Sequence, residues 1–129
     1  MINASRWQSA VAGGGININQ PAFPPDLKNP VSLRQITGKT FQATDLAKEV
    51  CLILDQHFNE LLDSGFDHIY QLYTSHLYKK GQAVRFKKGS RTFEATVLNV
   101  SPEGRLIVQH ATEEEFMWGE VEWVLAAGS

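Results

Sequence analysis

Lys79-Lys80-Gly81-Gln82-Ala83-Val84-Arg85-Phe86-Lys87-Lys88 is where the chain changes its period. Upstream, apolar residues recur at three- and four-residue steps; from Ala83 onward Val84 and Phe86 alternate with Arg85 and Lys87. A helix buries one stripe with a period of 3.6 and a strand buries one face with a period of 2, so Gly81 separates helical from extended chain. Downstream, Gly89-Ser90 turns, Thr92 to Val100 alternates, and Pro102-Glu103-Gly104 turns again. Arg105 to His110 and Glu120 to Leu125 complete four or five short strands. A flat sheet of that size leaves its edges open and half a core unmade, which favours a small barrel.

Working back from Gly81, Leu46, Val50, Ile53, Leu54, Phe58, Leu61 and Leu62 form one apolar stripe about five turns long, with Thr44 as N-cap and Gly65 at the C-terminal end. Phe66, Ile69, Tyr70, Tyr73 and Leu77 repeat the period, so a second helix from about Phe66 to Tyr78 packs beside the first as an αα-hairpin. Further upstream, Ser32 caps a short helical turn through Leu33 and Ile36 that Gly38 ends. Pro21 to Pro30 holds four of the five prolines and reads as a surface loop. Gly15-Ile16-Asn17-Ile18-Asn19-Gln20 alternates strictly and reads as one short strand with a wet face, while the triplet Gly13-Gly14-Gly15 holds no regular element without outside support and the chain before it is expected to be disordered. The fold class is α+β: a short N-terminal strand, a helical hairpin and a C-terminal barrel, with residues 1–80 as one region and 81–129 as the other.

With 129 residues, 43% of them apolar, the chain can bury a core without metal or disulfide. Its formal charge of −2 gives no bulk reason to expect DNA binding. No stretch reaches the roughly 18–20 apolar residues that span a bilayer. Cys51 is the single cysteine, which excludes an internal disulfide and a thiolate metal cluster and fits a reducing, cytoplasmic setting.

Few residues point to chemistry. The four histidines, His57, His68, His76 and His110, form no zinc or iron signature, so no metal site is expected. His57 lies within the stripe of the long helix and reads as a packed core imidazole, and Cys51 beside it as a buried, inert thiol. Lys79, Lys80, Arg85, Lys87, Lys88 and Arg91 bring six of the twelve basic residues together without a carboxylate between them. That strip suits phosphate or an acidic partner, and equally suits the outer face of an edge strand. Gly13-Gly14-Gly15-Ile16-Asn17 is neither a P-loop nor a dinucleotide fingerprint, although its glycines admit close approach and its asparagine can match a base edge.

The order of these pieces resembles the C-terminal part of a biotin protein ligase. Gly13-Gly14-Gly15-Ile16-Asn17-Ile18-Asn19 is similar to that family's G-x-G-I-N-x-N strand, and Phe23-Pro24 followed by Val31-Ser32-Leu33 to its proline loop and helix start. Leu61-Leu62-Asp63-Ser64-Gly65-Phe66 fits the end of its long helix. Gly81-Gln82-Ala83-Val84, Thr96 to Val100, Gly104-Arg105-Leu106-Ile107-Val108 and Gly119-Glu120-Val121 follow its SH3-like C-terminal domain.

The resemblance implies ATP-dependent formation of biotinyl-5′-AMP and transfer of biotin to a lysine of a carrier protein. It implies that Asn17 meets the adenine of the adenylate, with Gly13 and Gly15 lining the same edge. The family's glycine- and arginine-rich loop over biotin and phosphate, and the lysine before its G-I-L strand, lie upstream of the segment matched by Gly13. The resemblance therefore assigns these 129 residues no catalytic residue and no turnover of their own, and ATP or biotinyl-AMP as ligand by likeness alone. The expected partners are a biotin carrier protein, the complementary ligase half, or a second copy of the chain. A non-catalytic SH3-like interaction or self-association module is the alternative, and a small nucleotide-binding regulator a third.

Overall fold

The structure is a computed structural model that describes Ile2–Asn3, Arg6–Trp7 and residues 9–125. The chain divides into two compact units, residues 1–47 and 48–129.

In the first unit, β1 (Ile2–Asn3) pairs antiparallel with β2 (Arg6–Trp7), in the N-terminal part expected to be disordered. Met1, Ala4, Ser5 and Gln8 lie outside the described residues. Gly15–Gln20, expected as a strand, pairs with no strand among the described residues. Its carbonyls go instead to a helix start. Asn17 O accepts from Leu33 N at 3.0 Å and Ile18 O from Arg34 N at 2.9 Å, which serves two of the orphan amides of α1 (Leu33–Thr37). Asn19 imitates a strand partner with its side chain, accepting from Phe41 N at 2.9 Å and donating to Phe41 O at 2.7 Å.

Ser32 holds this arrangement together. Its hydroxyl donates to Gln20 O at 2.6 Å and accepts from Gln35 N at 3.2 Å, while the Gln35 side chain accepts from Ser32 N, a complete capping box. Gly38, at φ 72°, ends the helix as expected. Because Ser32 is buried, Ser32→Ala leaves the Gln20 carbonyl and the Gln35 amide without partners. The expected loss is about 1–2 kcal/mol. Amide hydrogen exchange checks it: the Gln35 amide should exchange about tenfold faster or more than in the parent chain.

Helix α2 (Ala43–Ser64) runs across the division between the units. It begins before Thr44, with Gln42 O accepting from Asp45 N and Leu46 N, so Thr44 sits in the first turn and not at the cap. In the second unit, Gly65 alone separates α2 from α3 (Phe66–Ser75). The expected succession of two helices is present, but the packing of one along the other is not. A one-residue joint is shorter than most connections between antiparallel helices, and no residue of α2 is buried. His57 and Cys51, expected in a core, are both exposed for that reason.

Beyond α3, five antiparallel strands form an SH3-like sheet in the order β6-β5-β4-β3-β7: β3 (Ala83–Lys88), β4 (Arg91–Val100), β5 (Leu106–Gln109), β6 (Glu113–Phe116) and β7 (Glu122–Trp123). The β3–β4 hairpin closes over two residues, with Lys88 opposite Arg91 and Gly89 at φ 59°, a conformation glycine adopts without steric cost. The barrel stays open, since no ladder joins β6 to β7. The alternation reads through to the core: Val84, Phe86, Ala95, Val97, Val108 and Phe116 are all buried. Strand β6 escapes the sequence reading because Glu113-Glu114-Glu115 looks like a solvated charge run. As an edge strand it carries Glu113 and Glu115 exposed, charges that discourage pairing with another chain. No helix among the described residues is long and apolar enough to cross a membrane.

Candidate functional site

Among the described residues two places stand out, one in each unit. In the first unit, Gly13, Gly15 and Asn17 are exposed, and a Cβ built on either glycine meets nothing within 4 Å. The space beside this edge is therefore open. The Asn17 amide donates to Val31 O at 3.3 Å, and its carbonyl oxygen accepts from Gln20 Nε2 at 3.5 Å. Both bonds lie at or beyond the long end of the useful range, so the amide can exchange these partners for a ligand at small cost.

In the second unit, an apolar groove of about 900 Å³ runs between α3 and the sheet, its aromatic lining drawn from Phe66, Tyr70 and Tyr73 on one side and Phe116, Trp118 and Trp123 on the other. Trp118 is fully exposed, held at the tip of the β6–β7 turn where Met117 N donates to a Glu120 carboxylate oxygen at 2.6 Å and Glu120 N to Met117 O at 3.1 Å. Helical period singles out Phe66, Tyr70 and Tyr73, and the expected strand Glu120–Leu125 holds Trp123, but no period joins them into one groove, because helix face, strand and turn meet only in three dimensions.

Tyr70 ties α3 to the sheet. Its hydroxyl donates to Val100 O at 2.5 Å and accepts from Asn99 Nδ2 at 3.4 Å, beside a bulge between Val97 and Asn99. The Asn99 side-chain oxygen is buried with no partner among the described residues. Tyr70→Phe removes the donor to Val100 O, and the expected loss is about 1–2 kcal/mol. Urea unfolding followed by tryptophan fluorescence measures it.

The basic strip is dispersed by its own neighbours. Lys88 lies over the Phe116 ring at 5.0 Å and 3.9 Å from Glu120; Arg91 lies over Phe93 at 4.3 Å and 3.7 Å from Glu114. Lys80 donates to Thr74 O at 3.2 Å and Lys79 sits over Tyr78. Strand β3 lies inside the sheet between β4 and β7, so the edge-strand reading of the strip fails, whereas the inward Val84 and Phe86 are as expected.

The histidine spacing also held more than its lack of a metal signature suggests. His57 Nδ1 lies 2.9 Å from Glu60, three residues on, with His68 Nε2 at 3.7 Å from the same oxygen; His110 Nε2 lies 2.8 Å from Glu114, four residues on. The Glu60 carboxyl is held below its usual value, first by the Gln56 amide and then by His57. A depressed carboxylate contributes above its ordinary range and loses that contribution as the pH falls through the lowered value, and solvent screening keeps this one small. The described residues hold no group of three or more such ligands placed for a metal ion.

This architecture, an exposed glycine–asparagine edge, a capped short helix, a long helix and an SH3-like sheet, is the fold found in biotin protein ligases. The apo biotin protein ligase of Aquifex aeolicus matches with a TM-score of 0.67 at 19% identity, over 86% of this chain and 51% of that one. The Aquifex aeolicus ligase in complex with biotin and ATP matches with a TM-score of 0.67 at 19% identity, over 86% of this chain and 48% of that one. The chain thus spans about half the length of the ligases it matches. No family model matches the sequence, and no curated protein does.

Proposed function

We propose that this chain supplies the C-terminal half of a biotin protein ligase-like assembly in the cytoplasm, and that it binds the adenylate side of the site without turning over by itself. The observation that carries the reading is the fold likeness, over 86% of this chain, to a ligase whose complex holds biotin and ATP. In this reading Asn17 offers its amide to the adenine edge and Gly13 and Gly15 leave the backbone open to it. Phosphate neutralisation and the biotin pocket come from the complementary half, because no cation stands among residues 9–20 to meet a polyphosphate. Biotin then passes to a lysine of a carrier protein.

Calorimetry with biotinyl-5′-AMP tests the binding half of the reading. The parent chain should give saturable heat, and Asn17→Ala should weaken binding about tenfold, the worth of one hydrogen-bonding pair. Absence of heat from the parent chain overturns it. A second reading, an interaction module without ligand chemistry, is favoured by the aromatic groove between α3 and the sheet; it predicts no heat with any nucleotide.

A further inference from the structure

We infer that Glu60 and His68 form a pH-sensitive latch across the Gly65 joint, which fixes the direction in which α2 leaves α3 when His68 is protonated and frees it when His68 is neutral. The carboxylate lies near the end of α2 and the imidazole at the start of α3, so their contact spans the one residue between the helices. His57 Nδ1 lies 2.9 Å from Glu60 Oε2, and His68 Nε2 lies 3.7 Å from the same oxygen. At 2.9 Å His57, on the same helix as Glu60, can donate to the carboxylate in either charge state. At 3.7 Å His68 is beyond hydrogen-bond reach, and only its imidazolium form is drawn to the carboxylate. The inference needs only this joint and stands apart from the adenylate reading.

Little else holds the bend. No residue of α2 is buried, whereas Tyr70 ties α3 to the sheet through Val100 O, so α2 is the part free to swing. His57 is the one α2 residue lining a cavity of about 550 Å³, which Ile69, Leu72, Tyr73 and His76 complete from α3 and its C-terminal end; a swing of α2 opens or closes it. Tyr73, Tyr78 and His76 are the other titratable groups of that cavity, and the His76 ring is engaged by Leu72 O at 2.9 Å. Asp63 and Asp67, the carboxylates on either side of the joint, form no ion pair among the described residues. The Gln56 amide, 3.0 Å from the second Glu60 oxygen, and then His57 hold the Glu60 carboxyl below its ordinary value. Glu60 therefore stays ionised across pH 5–8, the range in which an imidazole gains or loses its proton. The attraction is present at pH 5 and gone at pH 8. With His68 46% and Glu60 29% exposed, solvent screens the pair, and the expected bias toward the bent arrangement is about threefold to fivefold.

Pulsed dipolar spectroscopy between two spin labels tests the inference on the 129-residue chain. One label goes on Cys51, the exposed cysteine of α2, and the other on α3 at the exposed Gln71 through Gln71→Cys. Between pH 8 and pH 5 the ratio of bent to splayed populations should rise about threefold to fivefold. His68→Gln and Glu60→Gln should each hold the pH 8 distribution at both values. His68→Lys, charged throughout, should show the pH 5 distribution at both. His57→Gln leaves the bridging pair in place and should keep the response. Because none of these side chains is buried, circular dichroism of every variant should match the parent. A parent distribution that is the same at pH 5 and pH 8 overturns the inference. So does a response that survives His68→Gln or Glu60→Gln, which would place the titrating contact elsewhere, and so does a His68→Lys variant that responds like the parent.

Discussion

Phe86→Ala is expected to cost about 3–5 kcal/mol, the usual range for emptying a buried aromatic site. Phe86 has no exposed surface and belongs to the buried core on β3, with ring centroids 4.9 Å from Trp123 and 5.9 Å from Phe93. Its strand is also the one that β7 relies on, through the Phe86–Trp123 and Lys87–Glu122 pairs. Strand β7 has two residues and no other neighbour, so loss of the ring contact should free it first. A domain of this size is stable by only about 5–15 kcal/mol, and the substitution therefore removes a large share of the total. Urea unfolding followed by tryptophan fluorescence should show a lower midpoint, and hydrogen exchange should place the earliest loss of protection at β7. A change below about 1 kcal/mol would mean that the core is not centred on Phe86.

The second large effect is conformational. Gly65, the single residue between α2 and α3, has φ 82° and ψ 178°, a region that residues with a Cβ essentially do not enter. A Cβ there would meet no atom within 4 Å, so the cost of Gly65→Ala is backbone strain and not crowding. The expected loss is about 1–3 kcal/mol. Gly65→Asn should not rescue it, because asparagine tolerates the left-handed helical region and not this one. The relief available to the variant is to extend α2 through residue 65, which would swing Phe66 and Tyr70 away from the groove. A rise in helical circular dichroism together with loss of the Tyr70 to Val100 hydrogen bond, read by hydrogen exchange across β4, checks this.

What the sequence discloses and what it hides divide along one physical line. Alternation in β3 and β4 reports burial on one side of a sheet, and there Val84, Phe86, Ala95 and Val97 are buried as read. The caps are equally local, and Ser32 and Gly38 behave as expected. The stripe of α2 has the same kind of pattern as a buried helix, but a period records only which side is apolar and not what covers it. His57 and Cys51 were misplaced by that step. The alternation of Gly15–Gln20 misleads in a related way, since a strand exists only when another strand pairs with it, and here the carbonyls of Asn17 and Ile18 serve α1 instead. Strand β6 was hidden because three successive glutamates signal solvent, although the ladder to β5 is made by their backbone. The aromatic groove gathers residues from α3, the β4–β5 turn and the β6–β7 turn, and no short-range pattern joins those segments.

Transfer of labelled biotin to a carrier domain in the presence of ATP, with these 129 residues as the only added protein besides the carrier, tests the central claim most directly. The proposal predicts an unlabelled carrier, because residues 9–20, the edge proposed to meet the adenylate, hold no cation to neutralise the reacting phosphate. Labelled carrier lysine accumulating over several turnovers would contradict it.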